Sequence, residues 1–211
     1  MRNRYLVIAT MSLLAICFIA PLARSADETK TAAAPAGDKQ QPSMEEMMAA
    51  FAKYGTPGKE HEIFKSIEGK FDVDVTMQMP GVPTPMKSTG TSDNKLIFGG
   101  RYLHGDYSGE MMGKPFKGAG LWAYDKIKEK YVSLWIDDMS TMVMSAEGTA
   151  DSSGKVITVT GKCHDPVEKK EVTMRSVLTV TDKDHHTYES FQTSEGQPET
   201  NVVTINYTRA K

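Results

Sequence analysis

The chain has 211 residues, of which 39% are hydrophobic and 8% aromatic, with 25 Lys and Arg against 27 Asp and Glu. This composition excludes a disordered chain of low hydrophobicity and a polybasic nucleic-acid-binding protein. The two cysteines exclude a disulfide-rich scaffold and a zinc ribbon built on cysteine ligands.

The N-terminal segment has the pattern of a secretory signal peptide. Arg2 and Arg4 precede an apolar run from 6 to 20, and a small-residue stretch ends at Ser25. We therefore predict a signal peptide over residues 1–25 and export of the mature chain to the periplasm or the extracellular space. An uncleaved membrane anchor is the alternative, since the run is near the lower edge of the roughly 17–25 residues that a membrane span needs.

Cleavage at this site would change both the charge and the thiol content. Loss of Arg2, Arg4 and Arg24 leaves a mildly acidic domain, for which we expect no nucleic-acid partner and no membrane span. Loss of Cys17 leaves Cys163 alone, so that no disulfide can form within the mature chain. We expect Cys163 to be a small buried residue of a strand rather than a reactive thiol.

Two kinds of segment precede the folded core. Residues 26–43 contain no aromatic and no branched aliphatic side chain, which predicts a disordered linker. An N-terminal helical segment over 44–68 follows, and Ser43 with Glu46 forms a candidate capping box at its start. One apolar helical face is predicted from the spacing of Met44, Met47, Met48, Phe51 and Tyr54.

From Gly69 to the C-terminus the hydrophobic period is two, which is typical of β-strands. Strands are predicted over 71–79, 87–98, 101–111, 116–126, 130–139, 141–149, 155–163, 171–182, 185–194 and 199–209. Short turn-forming segments separate them, and no helix intervenes. We therefore predict an all-β domain over 69–211, an antiparallel meander of roughly ten strands that closes into a barrel. A two-sheet sandwich is the alternative.

Several short motifs in this region resemble those of a bacterial family catalogued as domain of unknown function 1579. The motifs are Gly99–Leu103, Pro115–Gly120 leading to Tyr124-Asp125, Trp135–Asp137, and Tyr207–Arg209. The resemblance extends from Glu60 to Arg209. It implies a calycin-like barrel, similar to lipocalins, fatty-acid-binding proteins and nitrobindin, and it brings no established activity or site residues.

Calycins typically begin their first strand with Gly-x-Trp and pack an arginine of the closing strand over that ring. Gly69, Phe71 and Arg209 resemble this arrangement, with phenylalanine in place of tryptophan. The resemblance implies that these residues close one end of the barrel, which is a structural role.

No motif indicates catalysis or a cofactor. The five histidines favour no haem ligation, and the Met77-x-Met79 and Met142-x-Met144 pairs are explained by strand periodicity as well as by copper binding. Cys163 and His164 are neighbours on a strand, as are Asp137 and Asp138, so that neither pair can work on one face. We predict no catalytic residues, no metal site and no cofactor.

The interior of the barrel is therefore the candidate functional site, and we expect an exported protein that binds a small apolar molecule there. The candidate lining residues are Met77, Met79, Trp122, Tyr124, Trp135, Met142, Met144, Met174 and Phe191. One alternative is an isomerase or hydrolase that uses Tyr124 or Asp137 inside the same cavity. A second alternative is a partner-binding module with a filled core.

Overall fold

The computed structural model describes residues 41–79 and 82–211. The predicted signal peptide over 1–25 and nearly all of the predicted linker over 26–43 lie outside the described residues. No helix in the described part of the chain is long and apolar enough to span a bilayer.

Helix α1 spans Met44–Gly55 and begins with a capping box. The Glu46 amide donates to Ser43 Oγ at 3.2 Å, and the Ser43 amide donates to Glu46 Oε2 at 2.7 Å. Two backbone donors at the start of the helix are satisfied in this way. The predicted apolar face is present, but all of its residues are exposed, with Phe51 at 72%.

A 3-10 turn over Lys59–His61 leads into α2, the short helix Glu62–Ser66. Ile63, Phe64 and the following Ile67 are buried, and Phe64 is 0% exposed. These apolar side chains pack against the interior of the barrel and cover one of its ends.

The described residues from 69 onward form ten antiparallel strands. They are β1 Gly69–Met77, β2 Met86–Ile97, β3 Tyr102–Met111, β4 Lys114–Asp125, β5 Lys130–Asp137, β6 Met144–Ala150, β7 Val156–His164, β8 Glu171–Val180, β9 His185–Thr193 and β10 Thr200–Arg209. Each strand pairs with its neighbour in sequence, and β1 pairs with β10. The sheet is therefore a closed barrel, as predicted, and the sandwich alternative is wrong.

The two ends of the barrel differ. At the closed end, α2 and Ile67 pack with Leu103, Tyr131 and Ile157 into a core that fills the lumen. At the open end, β1 finishes at Met77 opposite Met86, the first residue of β2. The core that fills the lumen therefore lies at the closed end, and a second buried cluster of Val73, Tyr107 and Phe116 lies farther along the wall.

Arg209 and Phe71 face each other across the β1–β10 pair at the closed end. The guanidinium carbon lies 4.6 Å from the centre of the Phe71 ring. Arg209 also donates to the carbonyls of Glu68 at 2.8 Å and Ser66 at 3.0 Å, which lie just before β1. The arginine thus joins the last strand to the segment that connects α2 with the first strand.

Gly69 is required at this junction for two reasons. Its φ of +119° is a conformation that residues with a Cβ atom rarely adopt. In addition, a Cβ atom at this position would lie 2.6 Å from Arg209 Nη1. A side chain at residue 69 would therefore displace the guanidinium that closes the barrel.

Candidate functional site

The barrel contains a cavity of about 670 Å³. It extends from the core at the closed end to the open end of the barrel. There the wall includes Met112 and Met139, each 56% exposed. The lining is mainly apolar, with a limited set of polar side chains. This combination of volume and lining is typical of sites for small molecules.

Methionines dominate the part of the wall near the open end, and we call this set the methionine rim. The methionine rim comprises Met77, Met86, Met111, Met112, Met139, Met144 and Met174. Unbranched thioether side chains adapt their shape to different apolar surfaces at little cost. The rim therefore provides a deformable apolar passage between solvent and the interior.

Deeper in the barrel the wall carries a polar patch, which we define as Ser92, Asn94, Tyr107, His186 and Tyr207. Ser92 Oγ donates to Asn94 Oδ1 at 2.8 Å, and Asn94 Nδ2 donates to the carbonyl of Ile67 at 2.9 Å. The amide is thereby held by the segment that closes the barrel. The closed end therefore fixes the Ser92 and Asn94 side chains on the cavity wall.

His186 is the most unusual member of the polar patch. It is 3% exposed, and its ring stacks on Tyr207 with the two ring centres 4.1 Å apart. Within the described residues its Nδ1 atom has no hydrogen-bond partner. Burial, assisted by the nearby Arg209 charge, lowers the pKa of His186 from 6.5 to about 4, so that the imidazole is neutral at physiological pH.

The phenols that face the cavity also stay uncharged. Burial raises the pKa of Tyr107, Tyr188 and Tyr207, and for Tyr207 the neighbouring phenols Tyr188 and Tyr107 add to this effect. The Tyr188 hydroxyl donates to Ser176 Oγ at 2.8 Å. In the described part of the chain, the Tyr107 and Tyr207 hydroxyls form no such bond and remain free to donate into the cavity.

Glycines in the strands keep the lumen open. The Trp135 ring lies against Gly118, where a Cβ atom would overlap the indole, and also covers Gly120. The Tyr107 hydroxyl lies over Gly90, where a Cβ atom would be 2.7 Å away. Because these rings lie flat along the wall, their bulk does not fill the cavity.

The structure places five of the nine predicted lining residues on the cavity wall. They are Met77, Trp122, Trp135, Met144 and Met174. The other four do not line the cavity. Met79 follows the end of β1, and Met142 precedes the start of β6. Phe191 is on the outer face, where the Arg175 guanidinium carbon lies 4.0 Å from its ring centre.

Tyr124 faces inward but lies in the packed closed end. Its ring contacts His61 at 5.9 Å and Tyr131 at 4.9 Å between ring centres. The Tyr131 hydroxyl in turn donates to the carbonyl of Glu60 at 2.9 Å, and burial raises its pKa to about 12. Tyr124 is therefore part of the closure and has no access to a ligand in the cavity.

Asp137 lies on the cavity wall at the open end, but its carboxylate is engaged. Its oxygens accept hydrogen bonds from Trp135 Nε1 at 3.0 Å and from the amides of Met139 and Ser140 at 3.1 Å each. These contacts fix the indole and the turn after β5. Neither residue named for the enzyme alternative therefore presents a free acid or base to the cavity.

Cys163 also lines the cavity, whereas the adjacent His164 is exposed on the outer face. Burial raises the pKa of the Cys163 thiol, which makes it less reactive at neutral pH. Within residues 41–79 and 82–211, no group of three or more His, Cys, Asp or Glu side chains could hold a metal ion.

Sequence reasoning missed the polar patch because its residues look like the solvent-facing half of each strand. In β2, for example, polar residues occupy every position from Ser92 to Lys95, so the sequence does not distinguish the inner face from the outer face. The available signal was the glycine content of these strands, since an inward glycine makes room for a neighbouring ring.

Comparison with known proteins agrees with the fold. The family model described as "Protein of unknown function (DUF1579)" matches residues 56–209. No curated protein sequence matches the chain. The crystal structure of Rv2717c from M. tuberculosis is similar, with a TM-score of 0.56 and 15% identity, and the match covers 74% of this chain and 100% of that one. At this identity the likeness shows the fold alone.

A second solved structure gives a weaker match. It is the S-type phycobiliprotein lyase CPES from Guillardia theta, with a TM-score of 0.49 and 12% identity over 74% of this chain and 99% of that one.

Proposed function

The chain belongs to the DUF1579 family of proteins of unknown function, and we propose that it binds one small, mostly apolar molecule in the barrel cavity. The observation that carries this proposal is the cavity of about 670 Å³ with its aromatic and methionine lining. Ligand sites of this kind bury most of a small molecule's surface against apolar side chains.

The distribution of charge supports an apolar ligand. The charged side chains on the described cavity wall are Lys87, Glu110, Asp137 and Lys162, all near the open end. Deeper in the cavity the wall carries aromatic, aliphatic and uncharged polar groups. A charged ligand buried there would lose its hydration without gaining a partner of opposite charge.

The experiment is native mass spectrometry of the protein purified from its own host, combined with thermal unfolding across a panel of lipids and isoprenoids. We expect a mass above that of the protein alone, and stabilisation by at least one compound class, because ligands that bind only the folded state stabilise it. A clean unbound mass together with no thermal shift across the panel would contradict the proposal.

Two matched variants locate the binding site. Ser133 faces the cavity, so Ser133→Phe should occupy part of it and weaken both ligand binding and the thermal shift. Thr160 is exposed on the outer face of β7, so Thr160→Phe adds the same ring outside the cavity and should leave binding unchanged. Equal loss of binding in both variants would place the ligand elsewhere.

We also propose that the domain acts outside the cytoplasm. The basic residues Arg2 and Arg4, the apolar run and the small residues before Ala26 support this proposal. Fractionation of the host with N-terminal sequencing should recover a chain that begins at Ala26. A chain that keeps Met1 in the membrane fraction would favour the anchor, and a cytoplasmic chain would refute export.

A further inference from the structure

The polar patch indicates which polar group the ligand has, whereas the apolar wall indicates only that most of the ligand is apolar. The Tyr107 and Tyr207 rings belong to one cluster with Val73 and Phe116, so that both phenols face the same part of the cavity. Within the described residues neither hydroxyl has an acceptor. A ligand that covers these hydroxyls displaces their water, so an oxygen atom that accepts their hydrogen bonds avoids leaving them unpaired.

His186 gives a second, independent observation at the same place. It stacks on Tyr207, is 3% exposed and has no partner for Nδ1 within the described residues. A neutral imidazole offers one donor and one acceptor. Its position against Tyr207, whose ring packs in the cluster of Tyr107, adds unused hydrogen-bonding capacity to this part of an otherwise apolar cavity.

Among the described residues, the polar patch has no free cation that could pair with an ionised group of the ligand. Arg209 is the nearest cation, and its donors are directed away from the cavity, to the carbonyls of Ser66, Glu68 and Lys183 and to the Asp184 carboxylate. The Phe71 ring lies against the guanidinium as well. A carboxylate or phosphate at the patch would therefore be buried without a counter-ion.

We propose that the ligand carries an uncharged oxygen group, a hydroxyl or a carbonyl, which it places against Tyr107, Tyr207 and His186 while its apolar chain extends to the methionine rim. This inference rests on the proposed function and names the chemical class of the ligand. The oxygen accepts hydrogen bonds from the two phenols, and the apolar part contacts the deformable thioether side chains.

The test compares four probes with the same carbon chain: dodecanol, methyl dodecanoate, dodecanoate and dodecane. Affinities are measured by displacement of Nile red and by native mass spectrometry of the intact domain. We expect dodecanol and methyl dodecanoate to bind more tightly than dodecane, because only they supply an acceptor. We expect dodecanoate to bind more weakly than dodecanol, because its charge must be buried.

Single hydroxyl deletions connect this preference to the patch. Tyr207→Phe and Tyr107→Phe should each weaken dodecanol and methyl dodecanoate by about fivefold, the loss of one net hydrogen bond, and leave dodecane unchanged. Tyr131→Phe removes the same atom at the closed end, outside the cavity, and should leave all four affinities unchanged. Thermal unfolding of each variant shows that it folds.

The remaining outcomes separate the two proposals. If dodecane binds as tightly as dodecanol, or if the phenylalanine variants weaken all probes equally, the inference about the oxygen group is overturned and the apolar binding site stands. If dodecanoate binds most tightly and loses affinity in Lys87→Gln or Lys162→Gln, the inference is also overturned. The ligand then carries a charged group that binds at the open end. If no probe binds by either method, the proposed function fails as well.

Discussion

Acidification should destabilise the fold through His186. In the folded chain its pKa is lowered to about 4, whereas an exposed histidine has a pKa of 6.5. Between these two values the unfolded chain binds a proton that the folded chain does not bind. The stabilising contribution is therefore complete above pH 6.5 and is lost as the pH falls towards 4. At about 1.4 kcal/mol for each pH unit between the two values, the loss amounts to about 3 kcal/mol.

The assay is urea unfolding followed by tryptophan fluorescence at several pH values across this range. His186→Phe is the informative variant, because phenylalanine keeps an aromatic ring beside Tyr207 and Phe71 but does not titrate. Carboxylates add the same acid dependence to both proteins, so the difference between them isolates the imidazole. His164→Gln, which removes an exposed imidazole on the outer face, is the matched control variant.

One result would refute this reasoning. If the wild type and His186→Phe lose the same free energy of unfolding between pH 6.5 and 4, the imidazole already binds its proton in the folded state. His186 would then be solvated in the folded chain, contrary to its burial beside Tyr207.

Three further predictions concern the barrel wall and its closure. Phe71→Ala should lower the free energy of unfolding by about 3–5 kcal/mol, and Arg209→Ala should lower it by about 2–3 kcal/mol. A double-mutant cycle should give a coupling energy of at least about 0.5 kcal/mol between them, and strict additivity would argue against the contact. Gly118→Ala should turn the Trp135 indole into the lumen and weaken ligand binding, and an unchanged affinity would show that the cavity does not depend on this glycine. Tyr131→Phe should cost about 1 kcal/mol of stability, measured by urea unfolding, because its hydrogen bond anchors the segment before α2; no change would mean that the apolar contacts alone hold it.

The strand order was readable from the sequence because two local signals agree along most of the chain. Alternating hydrophobicity marks most strands, and glycine, aspartate or proline marks most turns. For example, β7 was predicted over 155–163 and spans Val156–His164. Closure was predictable for a physical reason, since a meander of this length leaves two costly edges unless its first and last strands pair.

The cavity wall was only partly predictable, because hydrophobicity does not indicate which face of a strand is inward. Phe191 is apolar but lies outside, covered by Arg175. Tyr124 is inward but at a depth where the lumen is filled. Whether a side chain faces the lumen depends on the register of its strand with the neighbouring strands. Whether the lumen is filled at that level depends on how far α2 reaches into the barrel. Neither property can be inferred from the residues next to it in sequence.

Whether the barrel is filled or hollow depends on volumes rather than on hydrophobicity. Inward positions next to the cavity carry glycine or serine where a filled barrel would carry branched aliphatic residues, as at Gly105, Gly120 and Ser133. The large inward residues near them, Tyr107 and Trp135, lie along the wall because Gly109 and Gly118 leave space for their rings, and such space cannot be recognised before the strand register is known. The same arrangement that empties the lumen also leaves polar side chains on its wall without a protein partner. In this fold the cavity and its capacity to select a ligand therefore have one physical origin, the small residues on the inner face of the strands.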